Sequence, residues 1–331
     1  MSKIKILITD NIDQTGVDMM EAEGYEVRQE QKLSNDALLL IIKDYDAIIC
    51  RSSTKIGVDI IEAAKNLKCI AITSTGWDTI DIDKANEKNI AVFGQPVGAP
   101  DEDVTRKGSF TPTAEHTMLL MLAAAGDFYN ISHKMKQGNF AKFGFAGTEL
   151  LDKTLGIVGF GRIGQLVAKR AKAFEMNIIA YNRDSENKFV NLDFPVEFVA
   201  LDELCQRSDF ITVHMPKTSE TVNLIAKKQL ALMKKEAIII NTARGGIINE
   251  EDLLEALKNN KIRGAALDVF VSEGENLNMD LISLPNVLAT PHIAGVSQEG
   301  QKRRSIATAE NVIGFFRSGN IKNLINNYKK S

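Results

Sequence analysis

Cysteine is scarce in this sequence, with three in 331 residues, at Cys50, Cys69 and Cys205. The three are far apart and show none of the short paired spacings that bind metals. Cys50 and Cys69 each lie beside an apolar run. These positions predict buried free thiols, which are usual in a reducing compartment. We therefore expect a cytoplasmic protein with no metal site.

Long apolar runs are also missing, and none approaches the length needed to cross a membrane. The opening segment, MSKIKILITD, predicts a strand rather than a signal peptide. The net charge of −3 gives no reason to expect a nucleic-acid partner, and repeats and low-complexity segments are absent. We therefore expect no membrane and no nucleic-acid partner.

The order of apolar and amphipathic segments predicts the fold class. A chain of 331 residues is long for one core, so two domains are expected. Short apolar runs alternate with helical patterns before residue 94 and again after residue 154. Strands separated by helices indicate an α/β fold with parallel sheets covered on both faces. A helix is predicted over Gln298–Glu310, with Asn311 onward returning to the first domain.

Three glycines, Gly159, Gly161 and Gly164, have the GxGxxG spacing and lie between two predicted strands, Leu155–Val158 and Asn177–Tyr181. This is the context that dinucleotide binding requires. The first glycine would allow a tight turn, the second a close approach of a pyrophosphate, and the third close packing of helix on strand. A tight turn that binds nothing is the alternative.

Arg162 and Ile163 would open the helix after this turn, where unpaired N–H groups attract phosphate. The end of the second strand should select between NAD and NADP. An acidic residue there would bind the adenosine ribose, but this sequence has Asn182, then Arg183. Because Asn182 would not repel a 2′-phosphate and Arg183 could pair with it, we favour NADP. If Arg183 only faces solvent, the enzyme uses NAD, or it accepts both NAD and NADP.

Three later strands are predicted to end in loops that carry Arg244, Glu273 and His292. Carboxyl ends of parallel strands meet at one edge of a sheet, so these side chains should lie near the cofactor. Reduction of a 2-oxo acid needs a proton donor and a cation for the carboxylate. His292 can donate the proton, Glu273 can orient it and favour its charged form, and Arg244 can clamp the acid. A salt bridge and a surface charge are the alternatives for Arg244 and Glu273.

Two loops of the first half and one helix stand out. The loop at Arg51 carries positive charge, and Gly76 would let backbone N–H groups approach a carboxylate. Both could equally be ordinary sheet-edge loops.

The helix that starts near Thr111 is almost wholly apolar over Met118–Ala125, which predicts burial at a domain junction or a dimer interface. His116, early in that helix, is predicted to be structural. The segment before it, residues 94–110, resembles a linker with an exposed loop.

At this point the sequence resembles the D-isomer-specific 2-hydroxyacid dehydrogenase family. The matching segments are Gly147–Gly164, Ile240–Leu257, Gly264–Phe270, Thr290–Gly295, Arg51–Lys68 and Gly76–Asp83. The resemblance implies two Rossmann-like, doubly wound domains with the active site between them. A flavodoxin-like substrate domain would comprise residues 1–110 and 300–331, and an NAD(P)-binding domain residues 111–299. It also implies a homodimer built around the crossing helices.

The resemblance assigns roles to individual residues. Arg244, Glu273 and His292 would be catalytic. Further contacts to the cofactor would come from Thr242, Ala243 and Asp268. The backbone around Thr75 and Gly76 would bind the substrate carboxylate.

The substrate is the least certain part of the resemblance. The segments RSSTKI and MKQGNFAKFGFAGTEL are similar to phosphoglycerate dehydrogenases, in which Arg51 and a base near Lys142 would bind the substrate phosphate. Ser52 would also contact the substrate. Ile72, Trp77, Asn182 and Gly274 depart from the pattern of that branch. A glyoxylate or hydroxypyruvate reductase is therefore an alternative. From another class, a nucleotide-sensing protein like the corepressors that resemble this family is the second alternative.

Overall fold

The computed structural model describes residues 3–74, 76–95, 110–140, 144–183 and 192–329. The chain forms two compact units, of which unit 1 comprises residues 1–109 and 296–331 and unit 2 residues 110–295. Each contains one parallel sheet with helices around it. The predicted α/β class with two doubly wound parallel sheets is confirmed. The assignment of substrate and cofactor to separate domains stays a prediction.

Unit 1 is built on a five-stranded sheet in the order β2-β1-β3-β4-β5, with every described pair parallel. Its strands are β1 Lys5–Ile8, β2 Glu26–Gln29, β3 Ala47–Cys50, β4 Cys69–Ile72 and β5 Ala91–Phe93. Its helices are Gln14–Ala22, Asn35–Ile41, Val58–Ala63, Ile82–Glu87 and Gln298–Ser318, with a 3₁₀ turn at Ile42–Asp44. Strands β3, β4 and β5 are buried throughout, which explains why they read as continuous apolar runs.

Unit 2 is built on a seven-stranded parallel sheet in the order β12-β11-β10-β9-β6-β7-β8. Its strands are β6 Thr154–Val158, β7 Asn177–Tyr181, β8 Glu197–Phe198, β9 Phe210–Val213, β10 Ile238–Asn241, β11 Gly264–Leu267 and β12 Val287–Ala289. Its helices are Phe110–Ala125, Phe128–Lys136, Arg162–Ala173, Leu201–Arg207, Lys227–Leu232, Glu250–Lys258 and Met279–Ile282, with a 3₁₀ turn at Gly274–Asn276. Apolar clusters cover both faces of the sheet.

Two helix predictions were wrong in extent. The helix expected to end at Glu310 continues to Ser318, where Gly319 adopts the left-handed conformation and ends it. Its first residues already belong to unit 1, which resumes at Val296. The apolar helix begins at Phe110, and a further helix, Phe128–Lys136, was not predicted.

The three cysteines, Cys50, Cys69 and Cys205, are free and buried, as predicted. Burial raises the pKa of all three thiols, that of Cys205 to about 12.

Of the described helices, none is long and apolar enough to span a membrane. Within the same ranges, no group of three His, Cys, Asp or Glu side chains could hold a metal ion. The cytoplasmic location stays a prediction.

Candidate active site

The three fingerprint glycines differ in what surrounds them. Gly159 has a φ of +96°, and a Cβ there would lie 2.6 Å from Met215 Cγ. A Cβ on Gly164 would lie 2.4 Å from the carbonyl oxygen of Gly159. At Gly161, by contrast, no heavy atom of the described residues lies within 4 Å of such a Cβ. Packing therefore explains Gly159 and Gly164, while Gly161 leaves open space above its backbone, as a bound pyrophosphate would need.

The helix Arg162–Ala173 starts directly at this open backbone. Gly161 is its N-cap, and no described side chain caps it. The first N–H groups of such a helix attract a phosphate, so the residues present fit a dinucleotide. Arg162 lies over the ring of Phe110, 5.3 Å from its centroid, and Ile163 packs partly on an apolar cluster.

Asn182 and Arg183 are both engaged within unit 2. Asn182 Oδ1 accepts a hydrogen bond of 2.6 Å from the Phe160 N–H, which fixes the glycine turn against the end of β7. Arg183 Nη1 donates to Glu220 Oε2 and forms an ion pair with it. Glu220 follows β9 and belongs to no sequence motif, so its contact with Arg183 was not predicted from the sequence. Its carboxylate places negative charge beside the residue expected to favour NADP.

Two of the predicted catalytic side chains are in direct contact. His292 Nδ1 and Glu273 Oε2 are 2.9 Å apart, although the residues are 19 positions apart in the chain. The two side chains are 36% and 45% exposed, so solvent reaches the pair. His292 also has a φ of +53°, a conformation that is uncommon outside glycine. The loop must therefore be held by other contacts.

Asp268 supplies these contacts from the end of β11. It is fully buried, and its carboxylate accepts hydrogen bonds from Thr290 Oγ1 at 2.6 Å, from the Ile293 N–H at 2.9 Å and from the Ala294 N–H at 2.8 Å. Its carbonyl oxygen accepts the His292 N–H at 2.8 Å. Burial alone would raise the pKa of Asp268, but the hydrogen bonds it accepts lower it below its usual value. Asp268 thus stays ionised and shapes the loop.

The contacts of Asp268 bear on two sequence interpretations. His116 Nε2 lies 3.1 Å from Thr290 Oγ1 and 3.6 Å from Asp268 Oδ1. This placement agrees with a structural role for His116. Asp268 was assigned to the cofactor, and that role stays a prediction beside the loop-holding role seen here.

The loop that carries Arg244 is shaped by Asn241, the last residue of β10. Asn241 is buried, its Oδ1 accepts the Ala243 N–H and its Nδ2 donates to the Arg244 carbonyl, both at 3.0 Å. Arg244 Nη1 donates to the Ala243 carbonyl at 2.7 Å, and Thr242 Oγ1 lies 2.7 Å from Thr117 Oγ1. An asparagine that ends an apolar strand is the sequence signal that could have identified this turn.

The loop after β10 contacts the loop after β11 at Gly245. A Cβ at Gly245 would lie 1.9 Å from the carbonyl oxygen of Phe270. The loops after β10 and β11 therefore touch through their backbones. Arg244 lies on one of these loops and Glu273 on the other, while Glu273 contacts His292 directly.

The residues predicted to bind substrate lie partly in unit 1. The Arg51 N–H donates to Asp10 Oδ2 at 2.7 Å, and Asp10 also accepts from Ser53 Oγ and Thr54 Oγ1, so it shapes the loop after β3. Ser52 is exposed. In the loop after β4, Ser74 Oγ donates to the Gly76 carbonyl at 2.9 Å. Thr75 and Lys142 lie outside the described residues.

Comparison with known proteins identifies the family. The model of the D-isomer specific 2-hydroxyacid dehydrogenase, NAD binding domain, matches residues 118–294. A D-3-phosphoglycerate dehydrogenase of Methanocaldococcus jannaschii is 44% identical over 98% of this chain, which spans only 59% of that protein's length. A hydroxypyruvate reductase of Thermotoga maritima is 42% identical over 94% of this chain and 98% of its own.

A solved structure has a similar fold. An acyclic imino acid reductase in complex with NADPH and D-Arg superposes with a TM-score of 0.84, at 29% identity, over 97% of this chain and all of the other. The family-model match covers most of unit 2, and the reductase from Thermotoga maritima is matched over almost its whole length. This chain therefore belongs to the D-isomer-specific 2-hydroxyacid dehydrogenase family and carries its NAD-binding domain.

Proposed function

We propose that this chain is an NAD(P)-dependent dehydrogenase that transfers a hydride between nicotinamide and a 2-oxo or 2-hydroxy acid. The observation that carries the proposal is the His292–Glu273 pair, 2.9 Å apart. It lies on a loop held by Asp268, in the same unit as a glycine turn open to a dinucleotide. Gly159, Gly161, Arg162, Ile163 and Gly164 would hold the dinucleotide.

The bound nicotinamide supplies or accepts the hydride. His292 donates a proton to the carbonyl oxygen during reduction and accepts it back during oxidation. Glu273 accepts a hydrogen bond from Nδ1 of the imidazole, so the proton in transit sits on Nε2. Arg244 binds the carboxylate and the carbonyl oxygen, and its charge stabilises the negative charge that develops on that oxygen.

For the substrate, we propose a D-3-phosphoglycerate dehydrogenase-like reaction, with Arg51, Ser52, Thr75, Gly76 and Lys142 binding the acid. The M. jannaschii relative supports this assignment and the T. maritima relative supports a hydroxypyruvate reductase. Oxidation of NADH and NADPH should be measured separately with phosphohydroxypyruvate, hydroxypyruvate, glyoxylate and pyruvate. Preference for the phosphorylated acid supports the first assignment, and preference for hydroxypyruvate or glyoxylate the second. Lack of turnover with all four acids would favour the nucleotide-sensing alternative.

For the cofactor, we propose that Arg183 binds the 2′-phosphate of NADPH in competition with Glu220. Arg183→Ala should then lower kcat/KM for NADPH by about 10- to 100-fold, because a charge-assisted contact is lost. Glu220→Gln should raise the NADPH-to-NADH ratio of kcat/KM by about two- to fivefold, since an exposed ion pair is weak. Glu255→Gln, which removes a surface carboxylate paired with Lys227, is the matched control. Unchanged ratios in both variants would exclude this pair as the determinant.

The contact between Glu273 and His292 makes a prediction about kcat. Glu273→Gln keeps a hydrogen-bonding group beside His292 Nδ1 but removes the negative charge that faces the imidazole. Because the pair is partly exposed, kcat for reduction should fall by about two- to fivefold. Steady-state kcat values for the variant, the wild type and the control Glu275→Gln test this. An unchanged kcat in Glu273→Gln would contradict the proposed role of Glu273.

We also propose a homodimer through the apolar helices of unit 2. Large apolar side chains remain exposed on these helices and just after them, at Leu119, Leu122, Phe128, Tyr129, Met135 and Phe140. A patch of this kind usually marks an interface. Leu119→Glu should turn a dimer into a monomer in light scattering, whereas Leu40→Glu, at an exposed leucine of unit 1, should not. A monomeric wild type, or a dimer that persists in Leu119→Glu, would contradict the proposal.

A further inference from the structure

Unit 2 contains a cavity at the edge of its sheet opposite to the candidate catalytic loops. Its volume is about 380 Å³, which is within the range of small-molecule sites. Ile238, Gly264 and Val287, the first residues of β10, β11 and β12, line it. Asp268, which holds the His292 loop, lies four residues beyond Gly264, about 13 Å along the strand direction. A molecule in this cavity therefore occupies a place separate from the substrate.

Side-chain contacts fix the other walls of the cavity. Asn130 Nδ2 donates to the Pro285 carbonyl at 3.0 Å, which ties a helix of unit 2 to the segment before β12. Phe145 is partly buried, and the ammonium of Lys134 lies 5.2 Å from its ring centroid. Ala123 adds a small apolar surface. The cavity is thus formed before any ligand enters, and part of its wall is apolar.

One wall carries a guanidinium that contacts only neutral groups among the described residues. Arg263 directly precedes β11 and is partly buried. Its Nη1 donates to Thr148 Oγ1, and its Nη2 donates to the carbonyl oxygens of Ala125 at 3.2 Å and Ala146 at 3.4 Å. Within the described part of the chain, these contacts leave its Nε–H and one N–H of Nη1 for another acceptor. Capping the helix that ends at Ala125 explains the neutral contacts but leaves the positive charge uncompensated.

A negative charge lies close to Arg263, at Asp127. This residue also lines the cavity, and its Cα is at most about 7 Å from that of Ala125, whose carbonyl binds the guanidinium. Asp127 Oδ1 accepts a hydrogen bond of 2.6 Å from Asn130 Nδ2, and no cation of the described ranges forms an ion pair with it. The cavity wall therefore carries one positive and one negative charge that do not pair with each other.

We infer that this cavity binds a free α-amino acid with an apolar side chain. The α-carboxylate pairs with Arg263, the α-ammonium pairs with Asp127, and the side chain lies against Phe145 and Leu288. Such a ligand compensates both charges, whereas a simple carboxylate would leave Asp127 unpaired and a simple amine would leave Arg263 unpaired. The carbonyl end of the helix that stops at Ala125 also favours an ammonium. The site does not depend on the proposed dehydrogenase activity.

Binding to the full-length wild type should be measured by isothermal titration calorimetry. The probes are L-leucine and L-phenylalanine, together with two analogues of leucine that each lack one charge, 4-methylpentanoate and 3-methylbutylamine. At least one of the amino acids should bind, and each analogue should bind about 10- to 100-fold more weakly than leucine, because a charge-assisted contact is missing. Absence of binding by both amino acids, or equal binding of leucine and either analogue, would overturn the inference.

Two variants remove one charge each and keep the local hydrogen bonds. Arg263→Gln retains a donor for the Ala125 carbonyl, and Asp127→Asn retains the acceptor for Asn130 at a φ of +50°, which asparagine tolerates. Each should weaken binding of the amino acid by about 10- to 100-fold. Arg170→Gln, which removes an arginine paired with Glu115 at the surface, is the matched control and should not change it.

Two further variants locate the bound amino acid. Ala123→Leu should abolish binding by filling the cavity, and it replaces Arg263→Gln if that variant fails to fold. Arg244→Met should leave binding unchanged, since Arg244 lies on a loop at the other edge of the sheet. Undiminished binding in both Asp127→Asn and Ala123→Leu, or loss of binding in Arg244→Met, would overturn the inference. The assay with 2-oxo acids is read separately, so failure of the proposed function is distinguishable from failure of this site.

Discussion

Replacing His292 with glutamine should lower kcat for reduction of the preferred 2-oxo acid by about 10²- to 10⁴-fold. Glutamine keeps a hydrogen-bonding group of similar size, but it cannot gain or lose a proton near neutral pH. The hydrogen bonds that place the loop come from Asp268 to Thr290, Ile293 and Ala294, and none of them uses the imidazole ring. The variant should therefore keep the shape of the loop and lose only the proton transfer.

The measurement is the steady-state loss of absorbance at the reduced-nicotinamide band. His133→Gln is the matched control, since His133 lies on the helix Phe128–Lys136, where its Nε2 is 2.9 Å from Gln137 Nε2 and its ring stacks on Tyr129. Dissociation constants for the reduced cofactor, measured by fluorescence, should be unchanged in both variants. If His292→Gln retained wild-type kcat, another residue would have to be the proton donor.

The fold was predictable because the buried strands carry their own signal. Ala47–Cys50 and Ile238–Asn241 are short, apolar and buried along their length, and strands of that kind belong to parallel sheets covered on both sides. The missed helix, Phe128–Lys136, lacks such a signal. It follows Gly126, which predicts a break, and its N-cap Asp127 has a left-handed conformation with a φ of +50°.

The site was predictable where chemistry follows from strand order and unpredictable where it depends on distant contacts. Successive strands of a parallel sheet place their following loops at one edge, so the loops of Arg244, Glu273 and His292 could be grouped from the sequence. Asp268 binds the Ala294 N–H 26 residues away, and Arg183 pairs with Glu220 37 residues away. Nothing local distinguishes these partners from other acidic residues.

The second large effect is expected when Arg244 is replaced. The substitution Arg244→Lys separates the role of its positive charge from that of its two parallel N–H groups. Lysine keeps the positive charge but cannot present two parallel N–H groups to a carboxylate and a carbonyl oxygen. Loss of charge-assisted hydrogen bonds should lower kcat/KM for the 2-oxo acid by about 10²- to 10³-fold, and Arg244→Met should lower it further. The loop itself should survive, because Asn241 binds the backbone of Ala243 and Arg244.

The division of this loss between KM and kcat identifies what Arg244 binds. A contact with the carboxylate alone is made equally before and during the reaction, so its loss raises KM and leaves kcat unchanged. A contact with the carbonyl oxygen strengthens as charge develops there, so its loss lowers kcat. We expect both parameters to change in Arg244→Lys, with Arg207→Lys, a surface arginine paired with Glu197 and Glu203, as the control. A change in KM alone would restrict Arg244 to the carboxylate and leave His292 as the residue that acts on the carbonyl oxygen.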